Sequence, residues 1–245
     1  MTLYETQMQA ELEIWKLKMR STPSFSSQLA KKLQTRINRV IPEKVHAAIT
    51  AAIREMTNAV FFGAGFTTRT PVIPETLQSC ERKVIEKIKV YRNTAAAEGA
   101  ITGAGGILLG LADFPLWLTL KMKMLFEIAA LYGYDTSRYQ ERVHMLHIFQ
   151  LCFSSPVGRN RIFEPLANWD EYEKTLPPDI REFDWRSFQQ EYRDYIDIAK
   201  LLQLVPGIGA AVGALVNHRL TMKLGKTAMN AYRLRYFRKT ARLPF

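Results

Sequence analysis

Cysteine is scarce in this 245-residue chain: Cys80 and Cys152 are the two it has, far apart and in no C-x-x-C pattern. That excludes a disulfide scaffold and a paired-thiol metal or redox motif. A chain of this length buries a substantial apolar core without covalent staples. No cleavable leader is expected, because Glu5, Glu11 and Glu13 interrupt the opening turns, and a reducing cytoplasm is the expected setting. Alternation of apolar and polar residues is nowhere long enough to read as a sheet, which leaves an all-α fold. Acidic residues are missing from the end of the chain: beyond Asp197 there are nine basic residues and no acidic one, whereas Glu164 to Asp197 holds ten acidic and four basic. With a net charge of +11, a basic face is expected to meet phospholipid headgroups, nucleic acid or an acidic partner.

Long apolar runs are also few. Two glycine-spaced stretches, Gly99 to Leu120 and Leu204 to Val216, interrupt an otherwise charged chain, and each leads into a basic amphipathic segment. Gly99, Gly103, Gly106 and Gly110 in the first, with Gly207, Gly209 and Gly213 in the second, are expected to let helix backbones approach closely. Gly207 to Gly213 imitates a dinucleotide fingerprint, but it follows Pro206 rather than a strand, and no acidic residue lies downstream to hold a ribose. Gly103 to Gly106 lacks the Lys-Ser/Thr of a phosphate loop. No cofactor is expected.

Helices are expected over Thr2 to Met19, Ser27 to Val40, and from Glu43 through Val45, Ile49, Ile53, Met56 and Val60 into Gly63. Pro74 to Arg92 reads as another, with Asn93-Thr94 restarting the chain as an N-cap for the first glycine stretch. Asp113 and Pro115 predict a stop and a start, so that Gly99 to Gly133 forms a helical hairpin with its tip at Asp113 and a second arm over Phe114 to Tyr132. One further helix is expected over Ser137 to Cys152, then an irregular region with Pro156, Pro165, Pro177 and Pro178. Trp185 to Leu204, the second glycine stretch, Asn217 and a basic helix over Arg219 to Lys239 repeat the hairpin pattern loosely. The whole reads as one helical domain over 1–245, with N-terminal helices in 1–70, a first glycine-rich hairpin in 74–133 and a second in 184–240.

Gly99 to Leu120 is long enough to cross a bilayer. Asp113 inside it opposes this by about 2.5 to 3.5 kcal/mol, Pro115 breaks the run, and basic residues flank both ends, so a hairpin in the protein core or dipped into one leaflet is expected ahead of a span. In the tail, Leu220, Leu224, Ala228, Ala231, Leu234 and Phe237 can share an apolar face. Arg219, Lys223, Lys226, Arg233, Arg235, Arg238 and Lys239 then form a cationic contact surface, with Tyr232 and Tyr236 as interfacial rings. The alternative is a core helix with a solvated cationic back. Nucleic acid is not the expected partner, because the adjoining glycine stretch is too apolar for its groove.

Signatures of catalysis are missing. There is no H-E-x-x-H and no G-x-S-x-G, and Ser154-Ser155 has no base identifiable by spacing. His144 and His147 stand three apart with Glu141 as the one near acidic group, a pattern commoner in cores than in metal sites, so no metal is expected. A hydrolase would have to draw on Glu98, Asp113, His144 and His147. An apolar-ligand carrier would need the glycine helices to line a cavity rather than pack.

The sequence GAITGAGGILLGLADFPLWLTLKMKMLFEIAALYGYD from Gly99 to Asp135, together with LVPGIGAAVGALVNHRLTMKLGKTAMNAYRLR from Leu204 to Arg235, resembles the EcsC family. The resemblance rests on Ala-Asp-x-Pro at Ala112 to Pro115, Tyr-Gly-Tyr-Asp at Tyr132 to Asp135, and the Pro-Gly-Ile-Gly-Ala-x-x-Gly run leading to Asn217. IPEKVHAAITAAIREM near the front is similar too. Such membership implies a bacterial accessory protein, in the cytoplasm or at the inner face of the membrane, linked to an ABC exporter through the family's namesake, which is encoded beside exporter subunits. It brings no catalytic residue set.

Overall fold

A computed structural model describes residues 1–21, 43–62, 70–104, 106–154, 159–184 and 209–242. Over these the chain forms eight α-helices and a 3₁₀ turn, with no strand among the described residues: α1 (Leu3–Arg20), α2 (Glu43–Phe62), α3 (Leu77–Ala104), α4 (Gly106–Leu131), α5 (Tyr139–Phe153), α6 (Arg159–Ala167), α7 (Trp169–Thr175), the turn Ile180–Glu182, and α8 (Gly209–Arg242). The all-α expectation holds. Ser27 to Val40, Gly63, Trp185 to Leu204 and Gly207 fall outside the described residues, so the first arm of the second hairpin does too.

Local chemistry explains most boundaries. Thr2 and Glu5 form a reciprocal capping box at the start of α1, and Met8, Leu12 and Met19 carry its buried face. In α2, Ile53, Met56 and Val60 are buried at the three- and four-residue steps the sequence suggests. The end of α4 falls where Gly133 requires it. Gly133 has φ +84°, the Tyr134 amide bonds the Ala129 carbonyl and the Gly133 amide bonds that of Ala130, both at 3.0 Å, which closes the helix in a Schellman motif.

Three expected breaks do not occur. Asn93 and Thr94 lie inside α3 instead of capping a new helix, since the Thr94 hydroxyl bonds back to the Val90 carbonyl at 3.2 Å and Asn93 accepts from Arg92. Asp113 and Pro115 lie inside α4, so no helix starts at 113 and the expected hairpin tip is not there. A proline within a helix costs about 3 kcal/mol; burial of Phe114, Trp117 and Leu118 around it offsets that. Asn217 likewise lies within α8, its side chain committed to Trp117. The region expected to be irregular forms α6 and α7 because Ile162, Phe163, Leu166 and Trp169 bury themselves, despite Pro165.

Helix α8 organises the bundle. It packs along α3 more extensively than any other described pair, and antiparallel to it, with Arg233 at Glu81 and Gly225 at Ile88. Against α4 it runs parallel: Trp117 bonds Asn217, and fifteen residues on in each segment Tyr132, just past the end of α4, stacks on Tyr232 with centroids 5.2 Å apart. At Gly225 the Ile88 side chain of α3 sits directly against the α8 backbone, where a Cβ would lie 2.6 Å from Ile88 Cδ1 and 2.8 Å from its Cγ1.

Candidate functional site

Two features stand out where α3 and α8 meet, one sealed and one open. In the sealed one, Glu81 of α3 is fully buried. Arg233 of α8 donates to it through Nε and Nη2, both at 2.6 Å, while the hydroxyls of Tyr4 and Tyr132 donate at 2.6 and 2.9 Å. Four donors occupy the acceptor positions of one carboxylate, which leaves none for a substrate. Burial works against the charge on Arg233, but Glu81 outweighs it and holds the guanidinium protonated. Arg233 also reaches Glu11 at 3.5 Å.

A second ion pair mirrors this one across the tyrosine stack. Glu141 of α5 accepts from Arg235 at 2.6 Å and from Tyr232 at 2.8 Å. Arg235 lies 3.7 Å from the centroid of the Tyr134 ring, and Tyr134 stacks on Tyr232 at 5.2 Å. Burial, then Glu141, raises the Tyr232 hydroxyl well above its ordinary range; burial, then Glu81, does the same for Tyr132. These phenols stay protonated as donors.

The histidines belong to this interior. His144 is wholly enclosed, 4.5 Å from the Trp169 ring and 5.2 Å from Tyr232. Burial, Arg235 and His147 push its pKa well below that of a free imidazole. His147 bonds Gln150 at 3.2 Å and Tyr172 at 3.1 Å, and burial lowers it to about 4. No group of three or more His, Cys, Asp or Glu is placed to hold a metal among the described residues. The thiols are inert as nucleophiles, since burial raises Cys80 to about 12 and Cys152 to about 11.

The open feature is a cleft of about 370 Å³ between α3 and α8. Ile85, Ile88, Met222 and Met229 supply its apolar lining; Lys89, Arg92 and Lys226 supply cations, with Asn230, Arg233 and Glu11 beside them. On α3 the residues 85, 89 and 92, and on α8 the residues 222, 226, 229 and 233, recur by threes and fours, so each helix presents one stripe to the cleft. Lys89 and Lys226 are exposed and make no ion pair within the described residues.

The seven basic residues expected to form one outward surface therefore divide. Arg219, Lys223, Lys226 and Lys239 are exposed. Arg233 and Arg235 turn inward, because α3 and α5 present buried carboxylates to them, and Arg238 donates to the Ala167 carbonyl and to Asn168. The expected apolar face is core, with Leu224, Ala228 and Ala231 fully buried; Tyr232 is no interfacial ring but a core one, and Tyr236 bonds Glu5 at 2.7 Å. Asn217 is buried, accepting from the Trp117 indole at 2.5 Å one turn beyond Asp113. The surroundings of Gly99, Gly103, Gly106, Gly110, Gly209 and Gly213, and the side chains of Glu98 and Asp113, lie outside what is described.

Sequence reasoning missed Glu81, Gly225 and the role of Lys89 and Arg92. The stripes at 85, 89, 92 and at 222, 226, 229 were readable as spacing; that they face each other was not.

An all-helical protein with an ionic core and a cation-flanked cleft is the class that fold and site define. Its family follows from comparison. The sequence model of the EcsC protein family matches residues 6–237, and the chain belongs to that family. It is 43% identical to Protein EcsC of Bacillus subtilis (strain 168) over 242 residues, 98% of this chain and 99% of that one. It is 35% identical over 145 residues to the uncharacterized protein YdbA of the same organism, covering 58% of this chain and 53% of that one. No solved structure matches.

Proposed function

We propose that this protein is a non-enzymatic accessory that docks on an anionic membrane surface, the cytoplasmic leaflet alone or around the membrane subunit of an ABC exporter, with the glycine-rich helices as its rigid frame. One observation carries the reading: at the end of the bundle where α4 and α8 begin, exposed leucines stand beside exposed cations. Leu116 is 54% and Leu215 47% exposed, while Arg219, Lys223 and Lys226 follow at steps of four and three on α8, a helix without a single acidic residue. Each cation near an anionic leaflet contributes roughly 1 kcal/mol, and exposed leucines add apolar contact. No helix among the described residues is long and apolar enough to cross a membrane, which suits attachment rather than insertion. His144 and His147 are enclosed and Glu81 is saturated by its donors, so none of these three is offered to a substrate.

Co-sedimentation with vesicles tests this. Pelleting with phosphatidylglycerol vesicles at low salt, reduced by high salt and absent with phosphatidylcholine, is the expected result, because screening shortens the reach of surface charge to about 8 Å at physiological ionic strength. Equal behaviour with both lipids, or none with either, contradicts it.

A further inference from the structure

The cleft between α3 and α8 opens beside their packed seam, and its two surfaces differ in chemistry. Its floor is apolar: Ile88 and Met229 are buried there, with Ile85 and Met222 more open, and the close approach of Gly225 to Ile88 brings the two helices together at its base. Its cations are Lys89, Arg92 and Lys226, against which Glu11 is the single carboxylate, and Glu11 is already paired with Arg233. An uncompensated positive rim over an apolar floor is complementary to a molecule with one anionic end and one hydrocarbon end. At about 370 Å³ the cleft falls within the range of small-ligand sites, roughly 300 to 1,000 Å³.

We propose that this cleft binds the acyl chain of one anionic amphiphile, a membrane phospholipid, with Lys89 and Lys226 gripping its phosphate and Ile85, Ile88, Met222 and Met229 lining its chain. The inference rests on the docking reading for where the lipid is met, and it adds that a single lipid leaves the plane of the leaflet to enter the protein. A flat electrostatic contact would need the cations alone. Ile85 and Met222, the apolar residues more open to the cleft, would then have no chain to cover.

Isothermal titration of the full chain with dodecyl phosphate, below its micelle concentration, separates the two. Dodecyl phosphate is expected to bind, butyl phosphate and dodecyltrimethylammonium each at least about tenfold more weakly, because one lacks the chain and the other reverses the charge. The exposed double variant K89E/K226E is expected to lose at least about tenfold in affinity with its melting temperature unchanged, and M222S, which trims the apolar lining without adding charge, to weaken dodecyl phosphate while leaving butyl phosphate as it was. Absence of binding, equal binding of the cationic detergent, or wild-type affinity in K89E/K226E overturns the proposal. Vesicle pelleting without dodecyl phosphate binding removes the cleft and keeps the docking; dodecyl phosphate binding without vesicle pelleting does the reverse.

Discussion

The two halves of α8 carry the same kind of residue to opposite ends. In the first half, Arg219, Lys223 and Lys226 point outward beside exposed Leu215; in the second, Arg233 and Arg235 point inward to carboxylates at 2.6 Å. Nothing in α8 itself separates them, since both sets lie at helical spacing and no acidic residue is nearby in sequence. The difference comes from the neighbours: α3 and α5 bring Glu81 and Glu141 to the second half, while the first half meets cations of α3 across the cleft. A basic amphipathic helix is therefore not one surface. Its charge divides into a part buried in ion pairs with neighbouring helices and a part exposed at the surface.

Breaking the inner half should have the largest effect. Glu81→Leu leaves Arg233 and two tyrosine hydroxyls buried without their acceptor, and about 3 to 5 kcal/mol of stability is expected to go, read as a fall in the urea midpoint. The double variant E81L/R233M should recover most of that loss, which a simple deletion of packing would not do. Acid is the next largest perturbation. His147 titrates near 4 in the fold because burial disfavours its charge, and near 6.5 when unfolded. Below about pH 6.5 the unfolded chain binds more protons, so stability falls as pH drops towards 4, by an amount on the order of 3 kcal/mol from this residue. His144 shifts in the same direction and adds to the slope. Replacing His147 with Leu should flatten the stability profile over that window, as equilibrium unfolding at stepped pH would reveal.

The contact between the halves, at Gly225, offers a smaller effect. Gly225→Ala places a methyl group 2.6 Å from Ile88 Cδ1, and overpacking of this kind costs roughly 1 to 3 kcal/mol. Pairing it with Ile88→Ala should restore part of the loss. Finally, Lys226→Gln in the outer half is expected to change stability by less than about 0.5 kcal/mol while weakening contact with anionic vesicles, the opposite pattern to Glu81→Leu.

Much of this fold was readable in advance, and the misses share a cause. The buried stripe of α2, the span of α5 to within two residues and the Gly133 stop followed from periodicity and from a glycine at positive φ. Asn93, Asp113 and Asn217 each favour an N-cap and by sequence mark helix starts, yet all three lie inside helices. For Asn217 the reason is plain: Trp117, a hundred positions earlier, supplies a partner that no local pattern can reveal. Glu81 was invisible in the same way, being one of several acids in a charged helix until α8 is laid against it. The cationic rim of the cleft was visible as charge but not as a rim, because it draws on two helices far apart in sequence.

The most direct test of this division is one variant, R219Q/K223Q/K226Q, measured for phosphatidylglycerol vesicle binding and for urea stability together. Vesicle affinity should fall by about tenfold or more with an unchanged unfolding midpoint. Unchanged vesicle affinity, or a midpoint lowered as far as in Glu81→Leu, would contradict the claim that the first half of α8 serves a partner and the second half the fold.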